Sequence, residues 1–347
     1  MSVERSGNGR IPSHAGVPSP RERTGLVLGG GGVLGAAWLM GALHALREHT
    51  GWEPGRASHI VGTSAGSVVG ALLAIGIPTG FLIRHQRGEH TDDVLVLGRP
   101  VESAEERTRG LFAWSGTIPR PILGSPCLAL RTALTPWRFP PTAALVGWIG
   151  RGFLSNAEVG HIIRSLVPEG WTEHPNLWLV AVDYSTGRRV VFGASDAREA
   201  DLADAVRASC AIPGFYEPVR IDGRDYVDGG AWSPSNLDLL THVDVDTVIA
   251  LNPMSSLHPG PPTTILERFE RRIRSASGRR LGREARKLRD AGKRLLLIQP
   301  REDDLKAMGV NLMNPTRRVH VLETAIHTTR QRLREPDARA VLDTVAV

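Results

Sequence analysis

The residues with the clearest chemical potential are Ser64 and a run of four glycines upstream of it. Ser64 lies in Gly62-Thr63-Ser64-Ala65-Gly66, and the glycines occupy positions 29–32. A serine with glycine two residues before and two residues after is typical of a tight strand-to-helix turn that exposes a nucleophilic hydroxyl. A glycine-rich turn can direct backbone N–H groups at a developing oxyanion. Together the two motifs predict an acyl-transfer site.

A serine hydroxyl is a weak nucleophile until a base accepts its proton. The candidate base is Asp228, in Val227-Asp228-Gly229-Gly230, which follows a short apolar run and precedes two glycines. A carboxylate is ionised at neutral pH and can accept the proton directly. The alternative interpretation is that Asp-Gly-Gly forms an ordinary turn without a chemical role.

The elements that must position these residues follow a strand-helix pattern. Strands are predicted at 24–28 and 59–62, and helices at 33–49 and 65–74, so that the glycine run and Ser64 each lie between a strand and a helix. This order predicts a parallel sheet with its loops gathered at the carboxyl ends of the strands. Further helices are predicted at 156–166, 202–209 and 317–333, and further strands at 177–183, 189–192, 226–227, 247–251 and 294–298.

Residues 91–153 interrupt this pattern and are predicted to form an inserted cap-like segment. The segment holds Trp114, Trp137, Trp148 and three phenylalanines, with arginines between them. Its aromatic side chains either pack together as a small satellite core or form a lid or an interfacial surface that contacts lipid. The sequence leaves both interpretations open.

The rest of the chain favours one α/β domain, with residues 253–347 as a basic C-terminal extension packed on it. Residues 1–23 are predicted to be a disordered tail, without a signal peptide or a membrane-spanning segment, which favours a cytoplasmic protein. The two cysteines form neither a disulfide framework nor a metal motif. The net charge of +6 is concentrated in residues 266–294. This segment is either a solvated basic helix or a segment that is attracted to anionic membranes. No nucleic-acid motif accompanies this charge.

Four ordered blocks make the chain resemble the patatin-like phospholipase family of lipid acyl hydrolases. They are Leu26 to Gly35, Gly62 to Ser67, Ala208 to Phe215, and Asp228-Gly229-Gly230. The resemblance covers roughly residues 24–252. It implies a three-layer α/β/α sandwich with a mainly parallel central sheet, and hydrolysis of lipid esters without a metal or another cofactor.

The resemblance also implies roles for individual residues. Ser64 would be the nucleophile and Asp228 the proton acceptor, with no histidine in the mechanism. The oxyanion hole would be formed by the backbone N–H groups of Gly30, Gly31, Gly32 and Val33, and the supporting glycines would be Gly35, Gly62, Gly66, Gly229 and Gly230. The family often carries a basic residue at the positions of Val33 or Leu34. Because Val33 and Leu34 are apolar, they supply no positive charge to the site. Either the substrate is a neutral ester, or the insert supplies the cation.

Three other functions compete with this interpretation. An α/β-hydrolase would use Ser64 and Asp228 with His242, His320 or His327, but its nucleophile normally follows a later strand. A dinucleotide-binding fold would explain the glycine pattern, but the second strand does not end in the expected acidic residue. A catalytically inactive patatin fold could serve as a membrane-associated scaffold.

Overall fold

The computed structural model describes residues 23–89, 124–256 and 265–345. The predicted tail, except Arg23, and the first half of the predicted insert, including Trp114, lie outside the described residues. Within them, eight strands form one sheet in the order β5-β6-β3-β2-β1-β7-β8, with β4 paired to β3. The strands are β1 (Thr24–Leu28), β2 (His59–Thr63), β3 (Leu177–Asp183), β4 (Arg189–Phe192), β5 (Val219–Ile221), β6 (Arg224–Asp228), β7 (Thr247–Leu251) and β8 (Arg294–Ile298).

The α-helices of the described residues occupy both faces of this sheet. They are α1 (Gly32–Thr50), α2 (Ala65–Ala74), α3 (Thr79–Arg87), α4 (Pro126–Leu134), α5 (Pro141–Val146), α6 (Ala157–Leu166), α7 (Leu202–Ser209), α8 (Ile265–Asp290), α9 (Glu302–Met308), α10 (Arg318–Leu333) and α11 (Pro336–Leu342). No helix among them combines the length and the apolar composition needed to cross a bilayer.

The layers follow from the alternation of side chains along the strands. Leu26 and Leu28 of β1 pack in one hydrophobic cluster with α1, α2 and α10, whereas Val27 points to the other face. There it packs near Leu281 and Leu288 of α8. Because successive strand residues point to opposite faces, apolar residues at consecutive positions require a helix layer on both sides. The α/β class and the three-layer architecture are therefore confirmed.

The sheet differs from the predicted parallel sheet on one side. The β1–β2, β1–β7, β2–β3 and β7–β8 pairs are parallel, but β4 and β6 run antiparallel to β3, and β5 runs antiparallel to β6. The β5–β6 pair is joined by a tight turn at Asp222 and Gly223, both at positive φ. Such a turn can join only antiparallel neighbours. This reversal brings the end of β6 beside β3 and sets the position of Asp228.

Candidate active site

Ser64 occupies a strained turn between β2 and α2. Its backbone angles are φ 53° and ψ −121°, a conformation that a residue with a side chain seldom adopts. The flanking glycines permit the turn: a Cβ on Gly66 would collide with the Leu28 carbonyl, and a Cβ on Gly62 would lie 2.7 Å from the Gly66 oxygen. The turn therefore depends on both glycines.

Asp228 is the last residue of β6, and its side chain is buried. Burial raises the pKa of its carboxyl from 3.8 to about 6, while a hydrogen bond from the Ser64 side chain and one from the Gly230 N–H act in the opposite direction. The Gly230 N–H donates to Oδ1 over 2.7 Å. Gly229 allows close approach to β3, because a Cβ there would collide with the Val180 carbonyl. The structure thus brings Ser64 and Asp228 together.

Strand β3 lies between the strands that carry these two residues. Thr63, directly before Ser64, pairs with Val180, and Asp228 pairs with Ala181. Neighbouring strands are about 4.8 Å apart, so the two side chains need to span only the width of one intervening strand. Sheet pairing therefore brings together Ser64 and Asp228, which are 164 positions apart in the sequence.

The end of α7 and the residues directly after it hold this arrangement in place. The Ser209 hydroxyl accepts a hydrogen bond from the Ser64 N–H over 3.0 Å and donates to the Val180 carbonyl over 2.7 Å. The Asp228 N–H donates to the Ala211 carbonyl over 2.9 Å. Ser209 lies in one of the four motif blocks, but no local sequence pattern indicates a role for its hydroxyl. It is a positioning residue for the Ser64 turn, found only through its contacts.

The glycine loop supplies fewer donors than predicted. The Gly30 N–H already donates to the Pro234 carbonyl over 2.9 Å, so this residue is unavailable to an oxyanion and the predicted donor set needs correction. The N–H groups of Gly31, Gly32 and Val33 have no acceptor among the described residues. These three lie at the start of α1, where N–H groups have no partner within the helix and the helix dipole is positive.

Supporting glycines hold the loop close to its neighbours. Gly35 donates its N–H to the Gly31 carbonyl over 2.9 Å. Gly32 has φ +63°, and a Cβ there would lie 2.9 Å from the Met313 sulfur. Leu34 is fully buried in the main core. Its side chain is therefore part of the packing beneath the loop.

A cavity of about 200 Å³ opens on Ser64 and on the glycine loop. Its walls are mostly apolar and come from α1, α2, α3 and α6, with Met40, Leu72, Phe81, Val159 and Leu166 among the lining residues. Arg318, at the start of α10, is the one Lys or Arg among the described lining residues. The C-terminal extension therefore places one cation at the cavity, and a cation from the insert stays a prediction.

The histidines that an α/β-hydrolase would need as a third catalytic residue do not line the Ser64 cavity. His242, His320 and His327 are all exposed, and none of them lines the cavity. No histidine contributes to the pKa of Asp228. His85 lines the cavity, with its ring stacked on Phe81 at 6.1 Å. Across the described ranges no group of three or more His, Cys, Asp and Glu residues could hold a metal ion.

Comparison with known proteins identifies the family of this chain. A family model described as patatin-like phospholipase matches residues 26–241. The chain belongs to the patatin-like phospholipase family. Uncharacterized NTE family proteins of Mycobacterium bovis and of two Mycobacterium tuberculosis strains are each 27% identical over 267 residues. The match covers 75% of this chain and 58% of each relative, so the chain spans under two thirds of the curated relatives' length.

Two solved structures also resemble this member of the family. VipD from Legionella pneumophila is 15% identical, with a TM-score of 0.40, over 90% of this chain and 67% of VipD. The type III effector ExoU is 16% identical, with a TM-score of 0.35, over 92% of this chain and 54% of ExoU.

The described part of the insert has two sides. Leu128 and Val146 pack with Val182 and Tyr184 in a small core of their own. The opposite side is exposed, with 77% of Trp137 and 54% of Trp148 accessible to solvent. The buried side fits the satellite core, and the lid or lipid-contacting surface stays a prediction for the exposed side.

Proposed function

We propose that this protein is a serine acyl hydrolase that cleaves carboxylic esters of lipids. The observation that carries the proposal is the buried Asp228 carboxyl, with a pKa of about 6, beside Ser64 at the mouth of an apolar cavity. A base whose pKa lies just below neutrality is ionised at pH 7 and still holds a proton well enough to return it. The apolar walls suit the acyl chain of a lipid.

The proposed reaction uses one acid-base residue in both half-reactions. Ser64 Oγ attacks the ester carbonyl while Asp228 accepts the hydroxyl proton, and the N–H groups of Gly31, Gly32 and Val33 stabilise the oxyanion. Asp228 then protonates the leaving alcohol as the acyl-enzyme forms. Water attacks the acyl-enzyme while Asp228 accepts a proton from it, and Asp228 then returns that proton to Ser64 Oγ as the acid departs.

Contact with an anionic membrane is part of the same proposal. Leu130, Leu134 and Trp137 are 62%, 66% and 77% exposed on the insert. Exposed aromatic and aliphatic residues beside arginines favour insertion at the level of lipid headgroups. Segment 266–294 would add positive charge on the α8 side, where Leu281 and Leu288 face the sheet.

The test is a hydrolysis panel of p-nitrophenyl esters and phospholipids, together with labelling by a fluorophosphonate probe. We expect Ser64→Ala and Asp228→Asn each to lower kcat by roughly 10³-fold or more, and labelling to require Ser64. Single alanine variants of His242, His320 and His327 serve as controls and should retain turnover. Loss of activity in one folded histidine variant would favour a triad, and an unlabelled, inactive but folded wild type would favour a scaffold.

A further inference from the structure

A second concave site is lined in part by Trp232, from the loop that follows Asp228, and shares no lining residue with the Ser64 cavity. This arginine groove has a volume of about 760 Å³. It is bounded by α4 and the turn after it, by the β3–β4 hairpin and by the loop that follows Asp228. Its lining residues include Arg131, Arg138, Arg188, Arg189, Phe139 and Trp232.

The groove carries uncompensated positive charge. Arg189 is neutralised by Asp238 through two hydrogen bonds of 2.7 and 3.1 Å. Arg131, Arg138 and Arg188 are exposed and form no ion pair with any described residue. Three like charges that line one groove repel each other, and a bound anion relieves that repulsion.

One wall of the groove, at Trp232, is held in place by its neighbours. The Trp232 ring is flanked by the guanidinium groups of Arg189 at 5.9 Å and of Arg280 at 6.0 Å. Arg280 is in turn held by the buried carboxylate of Glu284 over 2.8 Å. One guanidinium group can bind two phosphate oxygens through parallel hydrogen bonds. The Trp232 ring forms a wall that limits the orientation of a bound anion.

The surroundings of the groove distinguish a lipid from a free anion. Leu130, Leu134 and Trp137 are exposed and adjacent in sequence to the groove residues of α4 and the following turn. A free phosphate ion would contact the arginines but not these apolar side chains. A membrane surface contacts both, because its headgroups bind arginine and its interface accepts apolar side chains. We propose that the arginine groove binds the phosphate headgroup of an anionic membrane phospholipid while the neighbouring apolar side chains enter the interface.

This proposal deepens the membrane contact proposed above but does not depend on hydrolysis. It is therefore tested in the full chain carrying Ser64→Ala, which removes turnover while leaving the groove intact. Binding is measured by co-sedimentation with vesicles of phosphatidylcholine alone and of phosphatidylcholine with phosphatidic acid. The groove variant combines Arg131→Gln, Arg138→Gln and Arg188→Gln. The matched control combines Arg56→Gln, Arg334→Gln and Arg339→Gln, which removes the same charge from exposed arginines elsewhere.

We expect the groove variant to lose affinity for phosphatidic acid vesicles by on the order of 100-fold, since each basic residue near the surface contributes about 1 kcal/mol. The control variant should lose much less. Equal losses in the two variants would overturn the proposal, because net charge alone would then explain binding. Full competition by millimolar inorganic phosphate would also overturn it in favour of a soluble anion. Single glutamine variants at the three positions, each expected to lose about fivefold in affinity, cover the case in which the triple variant fails to fold.

Discussion

The Asp228 carboxyl is buried and accepts a hydrogen bond from the Ser64 hydroxyl. These two features determine the pH at which the carboxyl ionises. Burial raises its pKa to about 6 because the ionised form loses hydration, and the hydrogen bonds from Ser64 and Gly230 only partly offset that loss. The group is therefore protonated below pH 6 and ionised above it. At the residue scale, the proposed base is a carboxyl whose pKa is raised close to neutrality by burial.

The pH dependence of hydrolysis follows from this pKa. Since the proposed reaction needs ionised Asp228, we expect kcat/KM to fall about tenfold per pH unit below about pH 6 and to level off above about pH 7. The measurement is a pH–rate profile on a neutral p-nitrophenyl ester, with circular dichroism at each pH as the control for folding. A rate that stays constant down to pH 4 in folded protein would contradict this role.

Ser209 gives a second prediction at the residue scale. Ser209→Ala removes the acceptor of the buried Ser64 N–H and the donor to Val180, so we expect a loss of about 1–3 kcal/mol in the free energy of unfolding. The shifted Ser64 turn should lower kcat by roughly 10- to 100-fold with little change in KM.

The control for Ser209 is Ser256→Ala, whose hydroxyl donates to the Pro300 carbonyl over 2.9 Å away from the site. Steady-state kinetics and urea unfolding of both variants separate positioning from stability. A Ser209→Ala variant with wild-type kcat would show that the turn holds Ser64 without this hydroxyl.

At the scale of elements, the turn between β2 and α2 is packed against the end of β1. Gly66, in the first turn of α2, has no room for a side chain because the Leu28 carbonyl occupies that space. The helix begins directly after Ser64, so any displacement of α2 also moves the hydroxyl. Strand, turn and helix therefore behave as one unit.

This packing predicts opposite outcomes for two helical glycines. Gly66→Ala should destabilise the protein by about 1–3 kcal/mol through overpacking. Gly80→Ala, in α3, meets no atom within 4 Å and should stabilise it by about 0.5–1 kcal/mol through helix propensity. Chemical denaturation of both variants makes the comparison. Equal stability changes would mean that β1 and α2 separate easily at this contact.

At the scale of the whole molecule, the part after the matched family region completes the fold. Strand β8 pairs in parallel with β7, and α10 packs against α1 with Val321, Leu322 and Ile326 buried. The two helices approach closely, since a Cβ on Gly41 would lie 2.5 Å from the Leu322 carbonyl oxygen. The C-terminal extension is thus part of the same core.

Removal of residues 257–347 should therefore abolish cooperative unfolding. The shortened chain would expose β7 as a sheet edge and uncover the apolar face of α1. A thermal melt followed by circular dichroism tests this expectation, with deletion of residues 1–20 as the control that should keep the wild-type Tm. A cooperative transition at the wild-type Tm in the shortened chain would show that the family region folds by itself.

The sequence alone determined the α/β class, several element boundaries and the motif residues, because these depend on local patterns. The run 177–183 is apolar along its length, and glycine spacing marks the turn at Ser64 without knowledge of its neighbours. The family resemblance rested on the same short blocks and was confirmed. The roles of Ser64 and Asp228 stay predictions, although the two residues are neighbours.

Only the tertiary structure decided which groups are available to each other. The Gly30 N–H is used by Pro234, the hydroxyl of Ser209 holds the Ser64 turn, and Arg318 reaches the cavity from a helix more than 250 positions away. The reversal of β6 placed Asp228 beside β3, and the fold of the insert left Trp137 exposed. Such facts depend on contacts between residues distant in sequence, which periodicity and spacing do not encode because they describe only a residue's own segment.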